Sequence, residues 1–99
     1  MILVTGFVRL EPADIDAALP AARTMMAASQ AEDGCFEYAY SQDLTDPGMI
    51  RVTERWRDRA ALDAHFQTPH MGAWRQALSS LRFLDRQVTA YEIASERRL

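Results

Sequence analysis

The sequence predicts an α+β domain of the ferredoxin-like, split βαβ type, in which a four-stranded antiparallel sheet carries its helices on one face. Two observations lead there. Stretches with the two-residue period of strands and the 3.6-residue period of helices follow in the order strand, helix, strand, turn, strand, helices, strand. A chain of 99 residues has room for one domain with one core, expected over residues 1–99.

Ile2 to Arg9 opens the chain with apolar residues on both faces, Ile2, Val4 and Val8 on one and Leu3 and Phe7 on the other, as in a central strand. Pro12 breaks it. From Asp14 the positions Ile15, Leu19, Ala22, Met26 and Ser29 recur at helical spacing. Pro20 removes a backbone donor inside this stretch, which predicts a short turn, a bend, and then a main helix from about Pro20 to Glu32. Asp33-Gly34 ends it.

Cys35 to Gln42 alternates, with Phe36, Tyr38 and Tyr40 on one side and Cys35, Glu37, Ala39 and Ser41 on the other. Thr45-Asp46-Pro47-Gly48 reads as a turn, and Met49 to Trp56 alternates again, giving a hairpin. Asp58 is placed to cap a helix to about Phe66, and Thr68-Pro69 to start another to about Leu81. The last strand is expected in the second half of Arg82 to Ile93, before a charged tail over 95–99.

Helices on one face leave the other face of the sheet bare, yet the strands carry apolar or small residues on both sides, Leu3 and Phe7 with Cys35 and Ala39 among them. A homodimer through that sheet face is therefore expected.

Composition removes several classes of function. The chain is 48% hydrophobic and 25% charged with a net charge of −3, its acids and bases interspersed, which offers no footprint for nucleic acid. No apolar run approaches a membrane span, and Met1 to Gly6 has neither a basic region nor the length of a signal peptide, so a cytoplasmic location is expected. The single cysteine, Cys35, reads as a small buried hydrophobe. Gly6 and Gly34 stand alone rather than in a phosphate-binding loop, and no serine sits in a nucleophile motif.

Three side chains are candidates for proton chemistry. His65 and His70 are the only histidines, and histidine is the side chain whose unperturbed pKa suits a general base at neutral pH. Glu54 falls between Val52 and Trp56 on an apolar strand face, where a carboxylate needs either a partner, such as Arg51 or Arg55 of a second subunit, or a chemical role. Tyr38, Tyr40, Trp56, Phe66 and Trp74 are candidates to wall a pocket for a flat aromatic substrate. Two separated histidines without a visible cluster of ligands give a weak metal signal.

Glu32-Asp33-Gly34-Cys35-Phe36-Glu37-Tyr38, Gln42-Asp43, Glu54 to Asp58, Ala61 to Phe66 and Thr68-Pro69-His70 together resemble the antibiotic biosynthesis monooxygenase domain over nearly the whole chain. The resemblance implies a dimeric α+β barrel with a pocket between sheet and helices in each subunit. It implies oxidation of a quinol or polyketide-type phenol by O2 with no metal or organic cofactor, for which the near-neutral pKa of histidine offers His65 or His70 as base. It does not imply haem: Gly6, His65 and Arg75 stand where the haem-degrading members carry an Asn, a Trp and the iron-ligating His. An isomerase or tautomerase using the same base, or a small-ligand-binding module without catalysis, fits the same residues.

Overall fold

The computed structural model describes residues 1–99, and each predicted element is present in the predicted order: β1 (Ile2–Leu10), α1 (Pro12–Gln30), β2 (Cys35–Gln42), β3 (Met49–Trp56), α2 (Arg59–Phe66), α3 (Pro69–Leu78) and β4 (Phe83–Glu92). The strands form one antiparallel sheet in the order β2-β3-β1-β4. The fold is ferredoxin-like. One face, carrying Ile2, Val4, Tyr38 and Trp56, packs on Met25 of α1, Ala61 and Leu62 of α2, and Met71 and Trp74 of α3 to make the core. No helix is long and apolar enough to cross a membrane.

Local chemistry sets the ends of the elements. The Asp58 carboxylate accepts from the Ala61 N–H at 2.8 Å and the Thr68 hydroxyl from the Met71 N–H at 3.3 Å, so α2 and α3 begin where the sequence places their caps. Helix α3 stops at Leu78, short of the expected Leu81, because the Ser79 and Ser80 hydroxyls donate back to the carbonyls of Gln76 and Ala77.

Three expectations are corrected. Helix α1 starts at Pro12 and runs without a break through Pro20. Proline is at ease in a first turn, and the carbonyl of Asp16 that loses its donor at Pro20 lies on the exposed face, where water replaces the lost bond. Strand β4 fills nearly the whole of the last segment, because β1 pairs with it along its full length from Ile2↔Glu92 to Leu10↔Phe83. At the start of β2 a register shift between Cys35 and Glu37 inserts a bulge. Cys35 then joins the core with its partner Trp56, and Phe36, expected beside Tyr38, is 54% exposed.

Gly6 holds the centre of the sheet. Its φ is +150°, and a Cβ at this position would overlap the Gln87 carbonyl oxygen of β4. Only glycine lets the two backbones approach this closely.

Candidate functional site

A cavity of about 530 Å³ lies between the sheet and the helices, a volume typical of small-molecule sites. Val8, Ile50, Val52 and Val88 line it from the sheet, Ile15, Leu19, Ala22 and Met26 from α1, and Phe66, Met71, Trp74 and Leu78 from α2 and α3. Among the polar groups on its wall are Tyr40, Glu54 and three arginines.

Strand alternation turns Glu54 to the helix side together with Val52 and Trp56, and leaves it only 6% exposed. The Trp56 indole N–H donates to its Oε1 at 2.9 Å. Its Oε2 has no protein partner, yet no buried side-chain polar atom is left unsatisfied, so this oxygen is open to the cavity that Glu54 lines. Burial pushes the Glu54 carboxyl above the usual carboxylate range; the Trp56 donor opposes the shift, the charge of Glu32 adds to it, and Arg86 opposes it. Within the chain Arg51 and Arg55 pair with Asp43 and Glu37.

Tyr40 lies beside Glu54 on the cavity wall. Its hydroxyl is 3.1 Å from that of Tyr38, and the two rings stack with centroids 5.5 Å apart. Burial raises the pKa of both phenols, that of Tyr38 far more. Four of the eight predicted site residues therefore border one space in two groups, Glu54 with Tyr40 from the sheet and Phe66 with Trp74 from the helices, and a fifth, Trp56, is bonded to Glu54 from behind. Tyr38 also backs the wall rather than lining it.

The histidines lie elsewhere. Neither lines this cavity; His70 borders a smaller depression of about 190 Å³ that shares Trp74 with it. Both rings converge on Glu32, in the turn after α1: His65 Nδ1 is 2.6 Å and His70 Nε2 2.8 Å from the same carboxylate oxygen. With Glu32 ionised, both rings donate to it, which fixes the proton of His65 on Nδ1 and that of His70 on Nε2. His65 is 1% exposed, its ring centroid 4.7 Å from that of Trp56 and 5.3 Å from that of Tyr38. Burial lowers its pKa, and the hydrogen bond and charge of Glu32 oppose the shift.

No local pattern singles out Glu32, which joins residues 33 and 38 positions away through the fold. Its cluster also corrects the expectation that the histidines have no ligand neighbours, since the three ligand atoms lie within 4.8 Å of one another. By residue type the group could hold a metal. Its spacings are those of hydrogen bonds, whereas ligands around a tetrahedral zinc stand about 3.3 Å apart, so a metal would have to displace both bonds and spread the group.

The family model for antibiotic biosynthesis monooxygenases matches residues 1–77. The protein sll1783 of Synechocystis is 31% identical over 98 residues, covering 99% of this chain and 67% of that protein. "Probable quinol monooxygenase YgiN" of Escherichia coli is 38% identical over 55 residues, 48% of this chain and 53% of that one. Among solved structures, a Deinococcus radiodurans protein superposes with a TM-score of 0.89 at 27% identity over 100% of this chain and 98% of its own. Rv0793 of Mycobacterium tuberculosis does so with 0.84 at 26% identity over 98% of each chain.

Proposed function

Because this chain belongs to the antibiotic biosynthesis monooxygenase family, we propose that it oxidises a quinol or polyphenol with O2, without a metal or organic cofactor, in the cavity between sheet and helices. The observation that carries the reading is the free Oε2 of Glu54 in a cavity walled mainly by apolar side chains, which Tyr40 also lines. The name of the Escherichia coli relative, a probable quinol monooxygenase, supports the substrate class.

Oxidation of this kind needs an ionised ring, because a phenolate surrenders an electron to O2 far more readily than a phenol. Glu54, its affinity for protons raised by burial, takes the phenolic proton. Apolar walls exclude water and admit O2 and the ring. One oxygen atom enters the ring as a hydroxyl and the other leaves as water. All four electrons come from the substrate, which departs as a hydroxyquinone. Glu54 replaces His65 and His70 as base in this reading, because only Glu54 reaches the cavity; the histidines and Glu32 brace the turn after α1 against α2 and α3.

The test is oxygen uptake with a naphthoquinol, corrected for spontaneous oxidation measured without protein. One O2 consumed per hydroxyquinone formed is the expected result. Turnover of a ring ketone without oxygen uptake would make the protein an isomerase or tautomerase using the same carboxylate, and ligand binding without turnover would make it a binding module.

The proposal includes a homodimer. Leu3, Thr5, Phe7, Ala39, Met49 and Tyr91 lie on the sheet face opposite the core, where a second sheet would pack. Interfaces of obligate dimers bury more than about 2,000 Å². Sedimentation at micromolar concentration is expected to give the dimer mass, and Phe7→Glu to give monomer or unfolded chain; a wild-type monomer would overturn this part.

A further inference from the structure

We propose that the ligand of the large cavity carries a carboxylate beside its aromatic ring, held by Arg23, Arg75 and Arg86 at the cavity mouth. The inference rests on the reading of this cavity as the substrate site, and it narrows the substrate class from phenols in general to phenolic acids.

The arginines divide by whether a carboxylate already pairs their charge. All eleven basic residues are arginine. Arg9, Arg51, Arg55, Arg57 and Arg59 are each paired with a carboxylate. Arg23, Arg75 and Arg86 line the cavity and have no acidic partner. They come from α1, α3 and β4, three elements that the fold brings together around one opening. All three are exposed overall while lining the cavity, so their charged heads stand at its mouth and their stems extend its apolar wall.

Existing contacts do not use up these donors. Arg75 Nη2 donates to the Phe66 carbonyl at 3.2 Å, which anchors its head at the junction of α2 and α3 and leaves its other donors free. The only Arg86 group with a hydrogen bond outside the strand pairing is its backbone N–H, to Asp85. Arg23 has no side-chain hydrogen bond to protein. The acids on the wall are Asp16 and Glu54, and the free oxygen of Glu54 is the one assigned to the phenolic proton. The wall is thus richer in guanidinium than in carboxylate, although the chain as a whole has a net charge of −3.

A neutral quinol would leave all three guanidinium groups without an anionic partner. A carboxylate accepts two parallel N–H bonds from one guanidinium, the arrangement in which arginine binds most selectively. Arg86 is the arginine whose charge reaches both Glu54 and Tyr40, so a carboxylate on it keeps the adjoining ring over those two groups. Arg23 and Arg75 then close the mouth over the anion.

The test is binding, read without oxygen so that turnover plays no part. The protein is titrated under nitrogen with 1-hydroxy-2-naphthoate and with 1-naphthol, following the fluorescence of the tryptophans, one of which, Trp74, lines the cavity. The acid is expected to bind about tenfold or more tightly than the naphthol, an advantage that shrinks as salt rises. Arg86→Gln is expected to remove most of the difference and Arg23→Gln with Arg75→Gln the rest. Arg82→Gln, outside the lining, is expected to leave it unchanged. Equal affinity for the two compounds, no binding of either, or an acid preference that survives all three cavity substitutions would overturn the proposal. Oxygen uptake with a neutral quinol is measured separately, so failure here and failure of the monooxygenase reading are distinct results.

Discussion

Glu54→Gln is expected to lower turnover by about 10²–10⁴, the usual value of a positioned acid–base group, while ligand affinity changes little. Glutamine keeps the shape of the side chain and an oxygen for the Trp56 N–H, now 2.9 Å from Oε1, so only the proton-accepting charge is removed. The pH profile separates this role from a structural one. Glu54 must be ionised to act, so the wild-type rate rises with pH through its raised pKa, and the limb disappears in the variant. Stability moves the other way. A carboxyl whose folded pKa lies above its unfolded value of about 4.3 binds the proton more tightly in the folded state, and folding loses stability as pH rises from the unfolded to the folded pKa. Glu54→Gln is therefore expected to melt at or above the wild-type temperature at neutral pH, an advantage that fades below about pH 4.3. A variant that melts lower and turns over normally would make Glu54 a structural hydrogen-bond acceptor and remove it from the mechanism.

The residues that the sequence made legible are those whose role depends on near neighbours. Caps at Asp58 and Thr68 need only the next three positions to act, and both act where expected. Glu54 stood out because period-two alternation is enough to place a carboxylate on the apolar face of β3. Errors arose where one residue changes the period or where distant partners decide. The bulge at the start of β2 exchanges the faces of Cys35 and Phe36, and nothing in their alternation announces it. Pro20 does not divide α1 into two helices, because the Asp16 carbonyl that loses its donor belongs to an exposed residue. Glu32 and the arginines at the cavity mouth are functional candidates only because α1, α3 and β4 meet in space. Each alone reads as an ordinary charged residue on a helix end or strand.

His65→Ala is expected to be the more damaging of the two histidine truncations, costing about 3 kcal/mol, roughly 10–20 °C in melting temperature for a domain of this size. The structure separates them. The His65 ring is 1% exposed and packs on Trp56, Tyr38 and Phe66, so its removal leaves a cavity in the most buried part of the core as well as taking a donor from Glu32. The His70 side chain is 20% exposed, and the Glu32 carboxylate that it bonds is itself 13% exposed and can turn to water. His70→Ala is therefore expected to cost about 1 kcal/mol. Burial also makes the His65 contribution depend on pH. A ring whose folded pKa is depressed takes up its proton more readily in the unfolded chain, so stability is fully present above the unfolded histidine pKa of about 6.5 and is lost as pH falls from there to the depressed folded value. Melts on either side of about pH 6.5 are expected to show this loss in the wild type and a shallower one in His65→Ala. If both variants melt within about 1 kcal/mol of wild type, the cluster on Glu32 does not brace the fold. If the wild type shows no acid limb in that window, the pairing with Glu32 outweighs the burial of the ring.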